Sequence, residues 1–178
     1  VAQLALVHGQ VHPAQDARRR ILELLREGLD LGRDAHFGAV VRKIRGESSD
    51  QIKAAGGGIW ASVLRCRDAS DEDLVANAVR AYAQIAKGGV TTLEVKSGYG
   101  LTIAQELRML RLLRESSPQT PLDLVYTFLG AHIIPAEAAS AQAYADLVLN
   151  EMLPAIAEQG IAEFNDVVCE ADVFPAQM

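Results

Sequence analysis

Thr91-Thr92-Leu93-Glu94-Val95-Lys96-Ser97-Gly98-Tyr99-Gly100 is the stretch on which the reading of the fold turns. An apolar, β-favouring run carrying Val90, Leu93 and Val95 stops abruptly at two glycines, and Glu94, Lys96, Ser97 and Tyr99 crowd the break. The pattern returns twice. Leu122 to Phe128 is a second such run, ending in Leu129-Gly130-Ala131-His132, and Asn165 to Glu170 is a third, ending in a thiol and a carboxylate. Strands that deliver polar side chains from their C-terminal ends are where α/β enzymes keep their chemistry.

Helical patterns separate the three runs. Ser70 with Asp73 makes a capping-box-like start, and Leu74, Val75, Ala78, Val79, Tyr82, Ile85 and Ala86 recur at helical spacing until Gly88-Gly89. Thr102 with Gln105 is a second capping box, opening a helix with a broad apolar face of Leu107, Met109, Leu110 and Leu113 that ends before Pro118. After Pro135 an alanine-rich stretch from Glu137 through Leu153 reads as helix, with Pro154 opening a further turn. Strands joined by helical connections of this length predict parallel pairing with right-handed crossovers.

A doubly wound sheet and part of a (β/α)8 barrel both satisfy that order. No Gly-x-Gly-x-x-Gly follows a strand, and Gly56-Gly57-Gly58 has no following lysine, so neither a dinucleotide fingerprint nor a P-loop is present. A complete barrel takes roughly 200 residues or more. The chain has 178, so a barrel here would be an incomplete one. Upstream, Val1 to Val7 reads as a short strand and Asp16 to Leu31 as an amphipathic helix, whereas Gly32 to Glu47 lacks periodicity.

Composition narrows the function. A hydrophobic fraction of 49% supports one real core, and a net charge of −6 argues against a nucleic-acid partner. Arg18-Arg19-Arg20 reads as the solvated face of a helix. No apolar stretch reaches membrane-spanning length, so no membrane partner is expected and a small-molecule substrate is the better reading. Cys66 and Cys169 lie far apart without Cys-x-x-Cys spacing, which fits a reducing cytoplasm and reads each as a small buried apolar residue.

Four histidines are candidates for metal binding or proton transfer: His8, His12, His36 and His132. Gly9 and Pro13 oppose a shared helix face for His8 and His12, and His36 stands alone as a surface residue. His132 differs, since it follows a strand and a Gly-Ala pair. Tyr99, between two glycines, is expected to point into a pocket mouth, with a structural turn tyrosine as the alternative. Glu94 and Lys96 fall on one side of their strand, as site charges or as an internal ion pair. Glu170 could orient a base or pair within the protein. Tyr99, His132 and Glu170 are all expected on one rim.

Five blocks in order carry a family resemblance: Gly56-Gly57-Gly58-Ile59, Gly89 to Leu101, Thr127-Phe128-Leu129-Gly130-Ala131-His132, Glu151-Met152-Leu153-Pro154 and Asp166-Val167-Val168-Cys169-Glu170. From about Gly46 to Met178 they resemble the imidazolonepropionases, members of the amidohydrolase superfamily. The resemblance implies a (β/α)8 barrel of the metal-dependent hydrolase type, with zinc or iron activating water. It implies opening of the ring of 4-imidazolone-5-propanoate to N-formimidoyl-L-glutamate in histidine degradation. Tyr99 and His132 correspond to substrate-contacting positions. His132 would act catalytically by hydrogen-bonding the ring carbonyl, and Tyr99 would hold the substrate.

Residues 1–45 depart from that pattern, and 46–178 carry the resemblance as a partial barrel. Glu27-Gly28-Leu29 stands where the family's His-x-His metal motif is expected, His36 where its substrate arginine is, and Ser49 where a tyrosine is. A leucine and a glutamate cannot replace paired nitrogen ligands. The family's remaining ligands, a histidine and an aspartate, would lie beyond Met178. With Val1 as first residue, the expectation is a piece of a longer protein that binds no zinc or iron and is inactive alone. Open strand edges predict a homo-oligomer. The rival reading is a non-catalytic α/β domain that binds a small anion or a protein partner through the same loops.

Overall fold

The structure is a computed structural model that describes residues 45–48, 51, 58–170 and 173–175. The Val1–Val7 strand, the Asp16–Leu31 helix, the Arg18-Arg19-Arg20 run, His8, His12, His36, Glu27-Gly28-Leu29, Ser49, Gly56 and Gly57 lie outside the described residues. The described residues fall into two units that part between Leu64 and Arg65. The account below concerns the second.

Helix α1 (Ile59–Asp68) leads into α2 (Asp71–Lys87), β1 (Thr92–Lys96), α3 (Ile103–Ser116) and β2 (Asp123–Ala131). A segmented helix follows, α4 (Ala141–Leu147), a π turn (Val148–Met152) and α5 (Leu153–Gln159), and β3 (Phe164–Val167) comes last. The strands form one parallel sheet in the order β1-β2-β3. The fold class is therefore α/β, and the parallel pairing expected from the strand–helix alternation is present. Among the described residues no helix is long and apolar enough to cross a membrane.

The helix starts follow from their caps. Ser70 Oγ accepts the Asp73 N–H at 3.1 Å, and Asp71, Glu72 and Asp73 place negative charge at the positive end of α2. Thr102 Oγ1 accepts the Gln105 N–H at 3.3 Å, but the Gln105 side chain turns away to accept from Arg108 Nη1 at 3.1 Å. Only half of that expected capping box forms, because the guanidinium is the stronger partner. Arg108 also donates to Asp71 Oδ1 at 2.6 Å and to the Ala69 carbonyl at 2.6 Å, tying α3 to the start of α2. Deeper in, Tyr82 and Ser116 hydroxyls meet at 3.2 Å.

The alanine-rich stretch departs from expectation. Its helix begins at Ala141, not near Glu137, because Ser140 Oγ accepts the Ala143 N–H at 3.0 Å while Pro135 to Ala138 form a turn. Pro154 cannot donate to the carbonyl four residues earlier, and the helix widens into the π turn just before it. Gly160, at φ 67°, ends α5 in the left-handed conformation.

Strand β3 is also shorter than its sequence suggested. Its register with β2 slips between Phe128 and Ala131, at Gly130, where a Cβ would lie 2.3 Å from the Phe128 ring. The pairing ends at Val167, leaving Cys169 and Glu170 exposed beyond it. Alternation then sorts the sheet faces. Leu93 and Val95 of β1 are buried on one face, and Glu94 and Lys96 are half-buried on the other.

Candidate functional site at the strand ends

Loop Ser97–Leu101 sits at the C-terminal end of β1, and the chemistry collects around it. Ser97 extends the sheet, donating its N–H to the Thr127 carbonyl at 3.1 Å while its Oγ accepts the Leu129 N–H at 3.2 Å. Gly98 then turns with φ 100°, and a Cβ there would meet the Leu129 carbonyl oxygen at 2.5 Å. Only glycine lets β1 leave the sheet so close to β2.

What holds the loop is Glu106, in the first turn of α3 and fully buried. Its Oε2 accepts the Gly98 N–H at 2.8 Å, and its Oε1 accepts the N–H groups of Gly100 at 2.8 Å and Leu101 at 2.7 Å. A carboxylate is an acceptor only, so these donors suit it. From the other side Arg67 Nε donates to the Gly100 carbonyl at 2.7 Å, and the same guanidinium pairs with Glu137 at 2.7 Å.

Tyr99 and His132 come together across the β1 and β2 ends. Their rings meet edge to face, with centroids 5.0 Å apart and planes at 83°. His132 Nδ1 donates to the Gly98 carbonyl at 2.8 Å, since a carbonyl can only accept. The neutral ring therefore carries its proton on Nδ1. Tyr99 is 1% and His132 4% exposed. Tyr99 thus does not stand open in a pocket mouth: Glu106 holds the Gly98 and Gly100 N–H groups around it, His132 holds the Gly98 carbonyl, and the ring is buried. Glu170 is exposed and follows the C-terminal end of β3, at the same edge of the parallel sheet as Tyr99 and His132.

Beneath the rim lies an ion-pair network. Lys96 Nζ bonds Asp166 Oδ2 at 2.5 Å and Glu94 Oε1 at 3.1 Å, and Thr127 Oγ1 donates to Glu94 Oε1 at 2.6 Å. Glu94 and Lys96 form the internal pair allowed by their spacing. Burial opposes the Lys96 charge, but the hydrogen bonds it donates to Asp166 and Glu94 outweigh it and raise the ammonium above its ordinary range. The Lys96 hydrogen bond holds the Asp166 carboxyl below the usual range.

Among the described residues no group of three or more His, Cys, Asp or Glu is placed to hold a metal ion. His132 Nδ1 is committed to Gly98 and Asp166 to Lys96. These residues do not fit a zinc or iron centre. Cys66 is buried with Sγ 3.8 Å from Met109 Sδ, and burial pushes its thiol up; Cys169 is exposed. Glu106, Arg67 and Asp166 were missed as functional positions in the sequence. A glutamate in the first turn of a helix that follows a Gly-x-Gly loop was the available sign for Glu106.

No family model matches the chain. Curated proteins do. The imidazolonepropionase of Shewanella amazonensis is 46% identical over 137 residues, which are 74% of this chain and 33% of that protein. The imidazolonepropionase of Solibacter usitatus is 47% identical over 135 residues, 75% of this chain and 32% of that protein. The imidazolonepropionase of Caldanaerobacter subterraneus subsp. tengcongensis is 44% identical over 144 residues, 78% and 35%. This chain spans about one third of the length of the curated relatives it matches, and over that third it resembles imidazolonepropionase.

Proposed function

We propose that this chain carries the substrate-binding rim of an imidazolonepropionase, the hydrolase that opens 4-imidazolone-5-propanoate to N-formimidoyl-L-glutamate in histidine degradation. The observation that carries the reading is the Tyr99–His132 pair, 5.0 Å apart at adjacent strand ends within a chain that resembles these enzymes. The three parallel strands and the helices between them are read as successive units of a (β/α)8 barrel spanning 46–178, with 1–45 as a separate, divergent segment. A cytoplasmic location is supported by two free thiols.

In the overall reaction water adds to the ring carbonyl, a carbon–oxygen bond forms, the ring carbon–nitrogen bond breaks and the departing nitrogen takes a proton. His132 has the catalytic role, as hydrogen-bond donor to the carbonyl oxygen where negative charge develops. Because Nδ1 already donates to Gly98, Nε2 can donate only when the ring is an imidazolium. Tyr99 holds the substrate beside it. No step is drawn through a metal, since the described residues do not fit one, and Glu27-Gly28-Leu29 replaces the expected His-x-His. The isolated chain is therefore expected to bind substrate without turning it over.

Calorimetric titration of the purified chain with 4-imidazolone-5-propanoate tests this, beside an absorbance assay of ring opening. Binding should weaken about tenfold or more in His132→Ala and in Tyr99→Phe, the loss of one hydrogen bond to a charged or buried partner. A folded chain that does not bind, or variants that bind as well as the parent, would overturn the site. Equal binding of acetate would favour the anion-binding alternative, and turnover above background would end the expectation of inactivity.

A further inference from the structure

Tyr99 lies between two peptides, and each is pinned by a different side chain. The carbonyl of the Gly98–Tyr99 peptide accepts from His132 Nδ1, and the N–H of the Tyr99–Gly100 peptide donates to Glu106 Oε1. The peptide before them donates its Gly98 N–H to Glu106 Oε2. One buried carboxylate thus sets the orientation of the carbonyl that in turn selects which nitrogen of His132 carries the proton.

We infer that Glu106 is the positioning residue of the Tyr99–His132 pair: by gathering the Gly98, Gly100 and Leu101 N–H groups it aims the Gly98 carbonyl at Nδ1 and fixes His132 as the Nδ1–H tautomer. The role in binding rests on the substrate reading above, whereas the tautomer does not. Two features make the arrangement directional. Gly98 at φ 100° can swing its carbonyl through conformations closed to other residues, so the loop needs an external hold. A glutamine could not replace Glu106, because its NH₂ would face a backbone N–H and two donors would oppose each other.

Nitrogen-detected NMR of the imidazole rings in the full chain tests this directly. Wild-type His132 should show a protonated Nδ1 and an unprotonated Nε2 in its neutral form. Glu106→Gln should populate the other tautomer and, by freeing the loop that carries Tyr99, weaken 4-imidazolone-5-propanoate binding about tenfold, the effect of one misplaced hydrogen bond from Tyr99. Glu106→Asp, which keeps the charge but is one methylene short, should do the same and covers the case in which the glutamine variant does not fold. Leu110→Ala, which empties a fully buried position on the same helix, should lower stability and leave the tautomer unchanged.

A wild-type His132 protonated on Nε2 alone overturns the inference without any variant. So does an unchanged tautomer in a folded Glu106→Gln or Glu106→Asp chain, or a tautomer shift of equal size in Leu110→Ala. A tautomer that follows Glu106 in a chain that binds no substrate would leave this inference standing and remove only the functional reading.

Discussion

The Gly98 carbonyl oxygen lies 2.8 Å from Nδ1 of His132, so the end of β1 and the end of β2 are joined by a bond that passes through a glycine held at φ 100°. Gly98→Ala meets two penalties there, a left-handed backbone and a Cβ 2.5 Å from the Leu129 carbonyl oxygen. Together they should cost about 2–4 kcal/mol. Gly160→Ala shares the positive φ but has open space around its Cβ, and should cost only about 1–2 kcal/mol. Urea midpoints compare them, and equal losses would show that the Leu129 contact carries no cost.

Lys96 should stabilise the sheet across a defined pH range. The Asp166 pKa is lowered on folding, so its contribution is present above the unfolded value of about 3.9 and disappears as pH falls through the folded value. The Lys96 pKa is raised, so its contribution is complete below about 10.4 and disappears as pH rises through the folded value. Lys96→Met should therefore cost about 1–2 kcal/mol near neutrality, since Glu94 and Asp166 are both partly hydrated, and progressively less at either extreme. Chemical denaturation between about pH 3 and 11 measures the difference, spanning both unfolded values. A loss that stays constant across the range would exclude the ion pair as its source.

The two cysteines should differ in reactivity. Cys66 is buried with its thiol pushed up by desolvation, and Cys169 is exposed. A thiol reagent added to native protein should label Cys169 quickly and Cys66 only as the chain unfolds. Rapid labelling of both would mean that the contact between α1 and α3 at Met109 opens readily.

Strand β3 should promote self-association. Among the described residues it pairs only with β2, and Phe164 and Val167 are 60% and 51% exposed. Light scattering should find species larger than a monomer, and Phe164→Lys should shift them toward monomer. A monodisperse wild-type monomer at high concentration would remove both the edge argument and the homo-oligomer.

From Ser70 to Val167 the sequence by itself determined which segments are strands and which are helices, because period-2 and period-3.6 apolar patterns are local. Ser70 and Thr102 show it most clearly: each caps through a residue three places on, as its spacing required. It also marked Tyr99 and His132, whose flanking glycines and strand-end positions are local features too. The start of the helix at Ala141 was legible only partly, since Ser140 competes with an alanine run whose propensity is uniform. Only the tertiary structure decided that β2 lies between β1 and β3, that Asp166 reaches Lys96 70 residues away, and that Glu106 governs the loop before its own helix. Burial decided these. A carboxylate in sequence is a solvated charge by default, and it becomes an organising centre only when packing removes water and leaves three N–H groups with no other acceptor.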